Sequence, residues 1–255
     1  MQGCRDHVAA CCRCVSAVLL LAATTGAVLA QGTPGGSQAP SLGAHALATQ
    51  SEGEGSSPVA TLPVLTQARG SSLIVFNGGY LSNASGPEDD YGNHWKQLGN
   101  DVPFGNGYGD RFNVKAYVAL DAKGGPDHTV SFVKNGNAEG EISVPFIEIK
   151  HAGVLQDVSQ NYAPTGLVMT SGKVTTTGPA TLIAVWWGDG GVKRMTAVPN
   201  NGFSVIDSYL KLPDNSGVQC AVAYRQVDTA GTYSVSWTGA PAQGAILWLL
   251  AFQSK

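Results

Sequence analysis

The sequence predicts an all-β protein, and three observations carry this prediction. From Ser71 onward, apolar residues recur with a period of two and almost nowhere with the helical period of 3.6. Segments rich in Gly, Asn, Asp and Pro separate these runs at the spacing typical of strands joined by turns. Only 13% of the residues are charged and 33 are glycine, which argues against coiled coils and helical bundles. We therefore expect a single antiparallel β-sandwich with a jelly-roll-like organisation.

Residues 1–30 have the layout of a secretory signal peptide. Arg5 and Arg13 precede a short apolar run, and Val28 and Ala30 provide residues suited to a cleavage site. A single membrane anchor is the alternative, but residues 24–26 (Thr-Thr-Gly) interrupt the apolar run. We expect cleavage after Ala30, a secreted or periplasmic protein, and no association with the membrane afterwards.

Removal of the signal peptide changes the cysteine content and the charge of the chain. Four of the five cysteines lie within residues 1–30, so Cys220 alone remains and no internal disulfide is expected. The segment also contains Arg5, Asp6 and Arg13, and its loss leaves 13 basic and 17 acidic residues. This acidic balance provides no basic footprint for a nucleic-acid partner.

Residues 31–70 are expected to form a flexible, disordered linker. They are rich in Gly, Ser, Ala, Thr and Pro and contain no aromatic residue, so they offer little surface to bury. Residues 58–65 (PVATLPVL) are the one part apolar enough to dock as an edge strand.

Residues 71–255 are expected to form the β-sandwich domain. The clearest alternation runs from Arg111 to Asp121, and the continuous apolar runs 73–76, 181–187 and 245–252 suit central strands covered on both faces. The residues predicted to be buried on the inward faces are Phe112, Val114, Val118, Leu120, Val130, Phe132, Ile142, Val144, Cys220, Val222, Tyr233, Val235 and Trp237.

Several of these segments together resemble secreted bacterial β-sandwich domains, most of which have no assigned activity. The segments are HTVSF (128–132), IEIKHAG (147–153), SGKVTT (171–176), AGTYSVSW (230–237) and AILWLLAF (245–252). The resemblance implies an extracellular bacterial module for binding or adhesion, and it brings no catalytic residues with it.

Aromatic residues in the loop-like segment 77–110 and the Trp186-Trp187 pair are the candidate ligand-binding groups. Exposed rings can stack on sugar rings, while neighbouring Asn and Asp side chains supply directed hydrogen bonds. Adjacent strand residues point to opposite faces, so one of the two tryptophans should lie outside the core. Inward packing of Trp95 is an equally weighted alternative. The candidates are Tyr80, Tyr91, His94, Trp95, Tyr108 and Trp187.

Carboxylates provide two weaker candidates. Glu139, Glu141 and Glu148 could supply an acid and a nucleophile or base, as in glycoside hydrolases, but solvated acids on an edge strand are the favoured interpretation. The run Glu88-Asp89-Asp90 could bind calcium, although such a run is more often a solvated loop. No cofactor is expected.

These observations leave three functions open. The preferred one is a non-catalytic extracellular module that binds a carbohydrate or another surface polymer. The alternatives are a secreted polysaccharide hydrolase or lyase, whose carboxylates converge from separate strands, and a structural or adhesive surface protein.

Overall fold

The computed structural model describes residues 38–80, 85–104, 111–134, 137–188, 193–214 and 216–255. Within these ranges the chain is all-β, as predicted. The strands in chain order are β1 (Ser41–Gln50), β2 (Val59–Ala60), β3 (Arg69–Tyr80), β4 (Glu88–Asp89), β5 (Lys96–Pro103), β6 (Phe112–Lys123), β7 (Val130–Phe132), β8 (Ile142–Lys150), β9 (Val154–Thr170), β10 (Val174–Thr176), β11 (Ala180–Gly188), β12 (Thr196–Pro199), β13 (Ser204–Tyr209), β14 (Cys220–Val227), β15 (Gly231–Tyr233) and β16 (Ser236–Gln253). The part of the chain that the structure describes contains no helix long and apolar enough to cross a membrane.

Two large antiparallel sheets form the sandwich. The first sheet has the strand order β1-β8-β3-β6-β5. The second has the order β12-β16-β11-β14-β13, and β9 also pairs with the long strand β16. Two smaller sheets, β2-β7-β4 and β10-β15, complete the fold. The predicted antiparallel β-sandwich is therefore confirmed.

The central core lies between the two large sheets and follows the period-two pattern of the sequence. Alternate residues of β6 and β11 point into it, as expected for strands whose side chains alternate between faces. Its fully or almost fully buried members include Ile74, Phe76, Val114, Ala116, Val118, Ile147, Ile149, Ile183, Val185, Trp187, Cys220, Val222, Ile246, Trp248, Leu250 and Phe252.

Each large sheet is also covered on its outer face, which explains the continuous apolar runs. The outer core of the first sheet is formed by residues of β3, β6 and β8 together with Val59, Val130 and Phe132 of the three-stranded sheet. The outer core of the second sheet is formed by residues of β11, β14 and β16 together with Met169, Val174 and others. Central strands in both sheets are therefore buried on both faces.

All but two of the residues predicted to be buried are buried, although several lie in the outer cores. Leu120 is 45% exposed, because a bulge in the β3–β6 pairing inserts one extra residue in β6 between Ala119 and Ala122. Asp121 has a φ of 51° in this bulge, and the side-chain alternation changes phase there. Tyr233 is half-buried; its hydroxyl donates to the Thr229 carbonyl oxygen at 2.8 Å.

The prediction of a flexible linker at residues 31–70 is wrong from Ser41 onward, because the first strand begins there. β1 pairs with β8 from Ser41 to Gln50, and β2 pairs with β7 at Val59 and Ala60. A half-buried edge strand such as β1 needs few large side chains, because main-chain hydrogen bonds provide much of its attachment. The expectation that residues 58–65 could dock as a strand is met at β2. Residues 1–30, the predicted signal peptide, lie outside the described residues.

Candidate functional site

Trp187 is not an exposed ligand platform, which corrects the expectation from the sequence. Trp187 lies in the central core and Trp186 in the outer core of the second sheet, and both are 0% exposed. The alternation between faces holds, but the outer face is covered by a further layer of chain.

The aromatic residues of segment 77–110 are mostly packed into the fold. This segment is not one long loop, since it contains the end of β3 and all of β4 and β5. Tyr80 packs against the central core, and Trp95 packs against the outer core of the first sheet, which was the alternative for that residue. His94 is exposed. Tyr108 lies outside the described residues.

Asp89 organises the turn that carries these rings. Its buried carboxylate accepts hydrogen bonds from the backbone N–H groups of Tyr91 and Asn93 and from Nε1–H of Trp95 at 2.8 Å. The Tyr91 hydroxyl donates to the Pro126 carbonyl oxygen, and the Tyr91 ring lies 4.7 Å from the imidazole of His128. Asp89 therefore has a structural role that its position in an acidic run did not indicate.

The run Glu88-Asp89-Asp90 does not gather around a common point. Asp90 turns away from Asp89 and accepts hydrogen bonds from the N–H and hydroxyl of Thr129, which lower the pKa of the Asp90 carboxyl. Glu88 is exposed. Among the described residues, no group of three or more His, Cys, Asp or Glu side chains is placed to hold a metal ion.

The three candidate catalytic glutamates are also separated. Glu148 is fully buried and accepts hydrogen bonds from Ala44 N–H, Gln67 N–H and the Ser71 hydroxyl, so the expectation of a solvated edge acid is wrong for it. Glu141 lies seven residues away along the extended chain, about 23 Å at the usual rise per residue, too far for a glycosidase pair.

Glu139 and Glu141, which are two positions apart, occupy different environments. The Glu139 side chain is exposed, whereas Glu141 is 6% exposed and burial raises its pKa. Neither residue lines the two clefts described next.

A cleft lies where edge strands of the two large sheets meet. Among the described strands, β1 pairs with β8 alone and β13 with β14 alone, so each is an edge strand. Between them is an open cleft of about 480 Å³, which we call the edge cleft. Its lining is half polar and half apolar: His45, Ala46, Leu47, Thr49, Leu62, Pro63, Val64, Asp207, Ser208 and Tyr209.

His45 and Asp207 form the charged centre of the edge cleft. Nδ1 of His45 lies 2.8 Å from Oδ2 of Asp207, and the two side chains are 31% and 20% exposed. The hydrogen bond to the Asp207 carboxylate raises the pKa of His45 above its ordinary value, although partial burial opposes the shift. A second link, 2.8 Å between the Ser51 and Tyr209 hydroxyl oxygens, also joins the two strands.

A second cleft of about 450 Å³ adjoins the first, and we call it the side cleft. Ser208 and Tyr209 line both clefts, so β13 separates them while contributing to each. The other residues that line the side cleft are Met195, Thr196, Ala197, Val198, Leu210 and Lys211.

Sequence reasoning missed the residues of both clefts. His45 lies in the segment assigned to a linker, and Asp207 and Tyr209 lie 162 and 164 positions further along the chain. One signal was present: His45, Leu47 and Thr49 alternate with Ala44, Ala46 and Ala48. This is the pattern of a strand with alanines on one face and larger side chains on the other.

Comparisons with known proteins give no match: no family model, no curated protein and no solved structure is significantly similar to this chain. The resemblance to secreted bacterial β-sandwich domains accordingly stays a prediction.

Proposed function

We propose that the chain is a non-catalytic module that binds an extracellular polysaccharide or another surface polymer, and that the edge cleft is its binding site. The observation that carries the proposal is the composition of this cleft. It combines the half-buried ring of Tyr209, hydrogen-bonding groups on His45 and Asp207, and an apolar wall at Leu62 and Pro63. Sugars need such a mixture, since each ring has apolar faces and a rim of hydroxyl groups.

The dimensions and position of the edge cleft support the same proposal. A volume of about 480 Å³ lies within the range usual for small-molecule sites, and the cleft is open rather than enclosed. It lies between two edge strands, where an extended chain can run alongside them. Stacking on one ring plus a few hydrogen bonds is expected to give a Kd of about 10–100 μM.

A second candidate is a polysaccharide hydrolase or lyase, and the His45–Asp207 pair is the observation that favours it. A carboxylate that accepts a hydrogen bond from Nδ1–H leaves Nε2 able to act as a general base. In the described part of the chain, however, Asp207 is the only hydrogen-bond partner of the His45 ring, and no nucleophilic side chain is bonded to it. We therefore place binding ahead of cleavage.

The test measures binding of the full chain to a panel of soluble neutral and acidic polysaccharides by affinity electrophoresis and calorimetry. Tyr209→Ala is expected to weaken binding at least tenfold, while Tyr209→Phe retains most of it because the ring remains. Tyr233→Ala removes a half-buried tyrosine outside both clefts and serves as the matched control, with binding unchanged. Ser51→Ala removes the hydroxyl partner of Tyr209 without touching the ring.

Three outcomes would contradict the proposal. Loss of binding on Tyr91→Ala but not on Tyr209→Ala would move the site to the turn that carries Tyr91, His94 and Trp95. Release of reducing or unsaturated sugars, abolished by His45→Gln, would establish the enzymatic alternative. Absence of binding to every polymer in the panel would leave the structural or adhesive function.

A further inference from the structure

Two cationic side chains lie directly opposite each other beside the side cleft. Arg194 and Lys211 are partners in an isolated antiparallel bridge, so their side chains emerge on the same face. Backbone hydrogen bonds on either side, Met195 N–H to the Leu210 carbonyl and Leu212 N–H to the Lys193 carbonyl, fix this register. Both side chains are exposed.

This pairing is unfavourable in the unbound protein. Like charges directly opposite each other on neighbouring strands repel. Within the described ranges, neither Arg194 nor Lys211 forms an ion pair, whereas the adjacent Lys193 lies 3.5 Å from Asp214. The two cations have no carboxylate partner among the described residues, although the chain has 18 acidic and only 15 basic residues.

One member of the cation pair borders a cleft that is suited to a sugar chain. Lys211 itself lines the side cleft, together with the hydroxyl groups of Thr196 and Ser208 and the ring of Tyr209. Because Tyr209 also lines the edge cleft, a polymer seated there can continue past this ring towards the two cations.

We infer that the ligand is an acidic polysaccharide whose carboxylates are bound by Lys211, which lines the side cleft, and by Arg194, which lies opposite Lys211. This inference rests on the proposed function and deepens it by naming the class of polymer. The planar guanidinium of Arg194 can bind a carboxylate with two parallel hydrogen bonds, and Lys211 adds a point charge. A nucleic acid fits less well, because two unpaired cations on a chain with a net charge of −3 release few counterions.

The experiment compares polygalacturonate, alginate and hyaluronan, each beside its methyl ester, which keeps the sugar backbone and removes the charge. We expect at least one acid form to bind at least tenfold more tightly than its ester at 50 mM NaCl. We expect this preference to shrink at 500 mM NaCl, where charges are screened. The double variant Arg194→Gln/Lys211→Gln should lose the preference, while Lys173→Gln, an exposed lysine that lines neither cleft, should keep it.

The outcomes separate this inference from the proposed function. Equal binding of acid and ester, or of wild type and double variant, overturns the acidic-polymer inference. Binding of neutral glucans alone, dependent on Tyr209, overturns it while leaving the proposed function intact. Equally tight binding of single-stranded DNA, lost in the same double variant, also overturns it and assigns the pair to nucleic acid. If no polysaccharide binds, both fail together. All variants should melt within 1–2 °C of wild type, because the substituted side chains are exposed.

Discussion

Gly78 leaves the space that the Trp187 indole occupies in the central core. A Cβ at this position of β3 would overlap the six-membered ring of Trp187. The indole has little room to retreat, since Phe76 and Trp187 are in contact with ring centroids 6.4 Å apart and Trp187 is fully buried. Close packing across the two sheets therefore depends on the absence of one side chain.

We expect Gly78→Ala to lower the free energy of unfolding by about 2–3 kcal/mol, because one added methyl group overpacks the core. Urea denaturation followed by tryptophan fluorescence measures this change. Gly86→Ala is the matched control: its Cβ would have only one neighbour, a Tyr117 ring atom at 3.9 Å, and the expected change is below about 0.5 kcal/mol. Equal stability of the two variants would show that the sheets can separate to accept the methyl group.

Side-chain alternation predicted most of the buried residues correctly, and its errors have identifiable causes. Alternation gave the faces of Val114 and Val118 because β6 is regular there. It gave the wrong exposure for Leu120, because a bulge is a local backbone event with no period of its own. Alternation also separated Trp186 from Trp187, but the layer that covers Trp186 comes from segments distant in sequence, which a local pattern does not contain.

At the scale of elements, Glu148 attaches the N-terminal strand to the sandwich. Its carboxylate accepts from Ala44 N–H at 3.0 Å, Gln67 N–H at 2.7 Å and the Ser71 hydroxyl at 2.6 Å. A Cβ at Gly43 would overlap this carboxylate, so the glycine is required where β1 passes over it. The composition of residues 31–70 could not predict this attachment, because the carboxylate that accepts the hydrogen bonds belongs to Glu148 on β8.

We expect Glu148→Gln to lower the free energy of unfolding by about 1–3 kcal/mol, because an amide nitrogen would replace one acceptor and face backbone donors. Hydrogen exchange should become faster in β1 than in β6, which distinguishes loss of the attachment from general destabilisation. Glu139→Gln, at an exposed position of the same chain segment, should leave both measurements within error. Unchanged protection of β1 in Glu148→Gln would contradict the attachment.

At the scale of the whole molecule, the sandwich itself creates the edge cleft. The side chains that line it come from β1, an edge strand of one large sheet, from β13, an edge strand of the other, and from the segment around Leu62. The all-β class could be predicted, since it depends on local periodicity. The cleft could not, since it depends on which edge strands become neighbours.

The two large sheets are joined at this edge by polar contacts from one sheet to the other. Besides His45–Asp207 and Ser51–Tyr209, the Gln226 side-chain amide donates to the Pro40 carbonyl oxygen at 2.7 Å. Only the His45–Asp207 contact changes its charge near neutral pH. The titratable groups that line the edge cleft around His45 are Asp207 and Tyr209.

This contact predicts a pH-dependent contribution to the stability of the whole sandwich. The pKa of His45 is raised in the folded state by Asp207, so the folded protein holds this proton more tightly than the unfolded chain. The resulting stabilisation is complete below the unfolded value of about 6.5 and is lost as the pH rises through the higher folded value. Its size should be about 0.5 kcal/mol, because both side chains are partly exposed.

We therefore expect Asp207→Asn to destabilise the protein more at pH 5.5 than at pH 8.5. Burial lowers the pKa of His128, which makes the stability of every variant fall towards acid, but this effect is common to wild type and variant and cancels in their difference. Urea denaturation at the two pH values measures that difference. Asp214→Asn removes the exposed partner of Lys193, an ion pair that contains no histidine, and is the control. A cost of Asp207→Asn that is equal at both pH values, or larger at pH 8.5, would mean that Asp207 stabilises this edge by hydrogen bonding alone and that His45 does not carry a charge there.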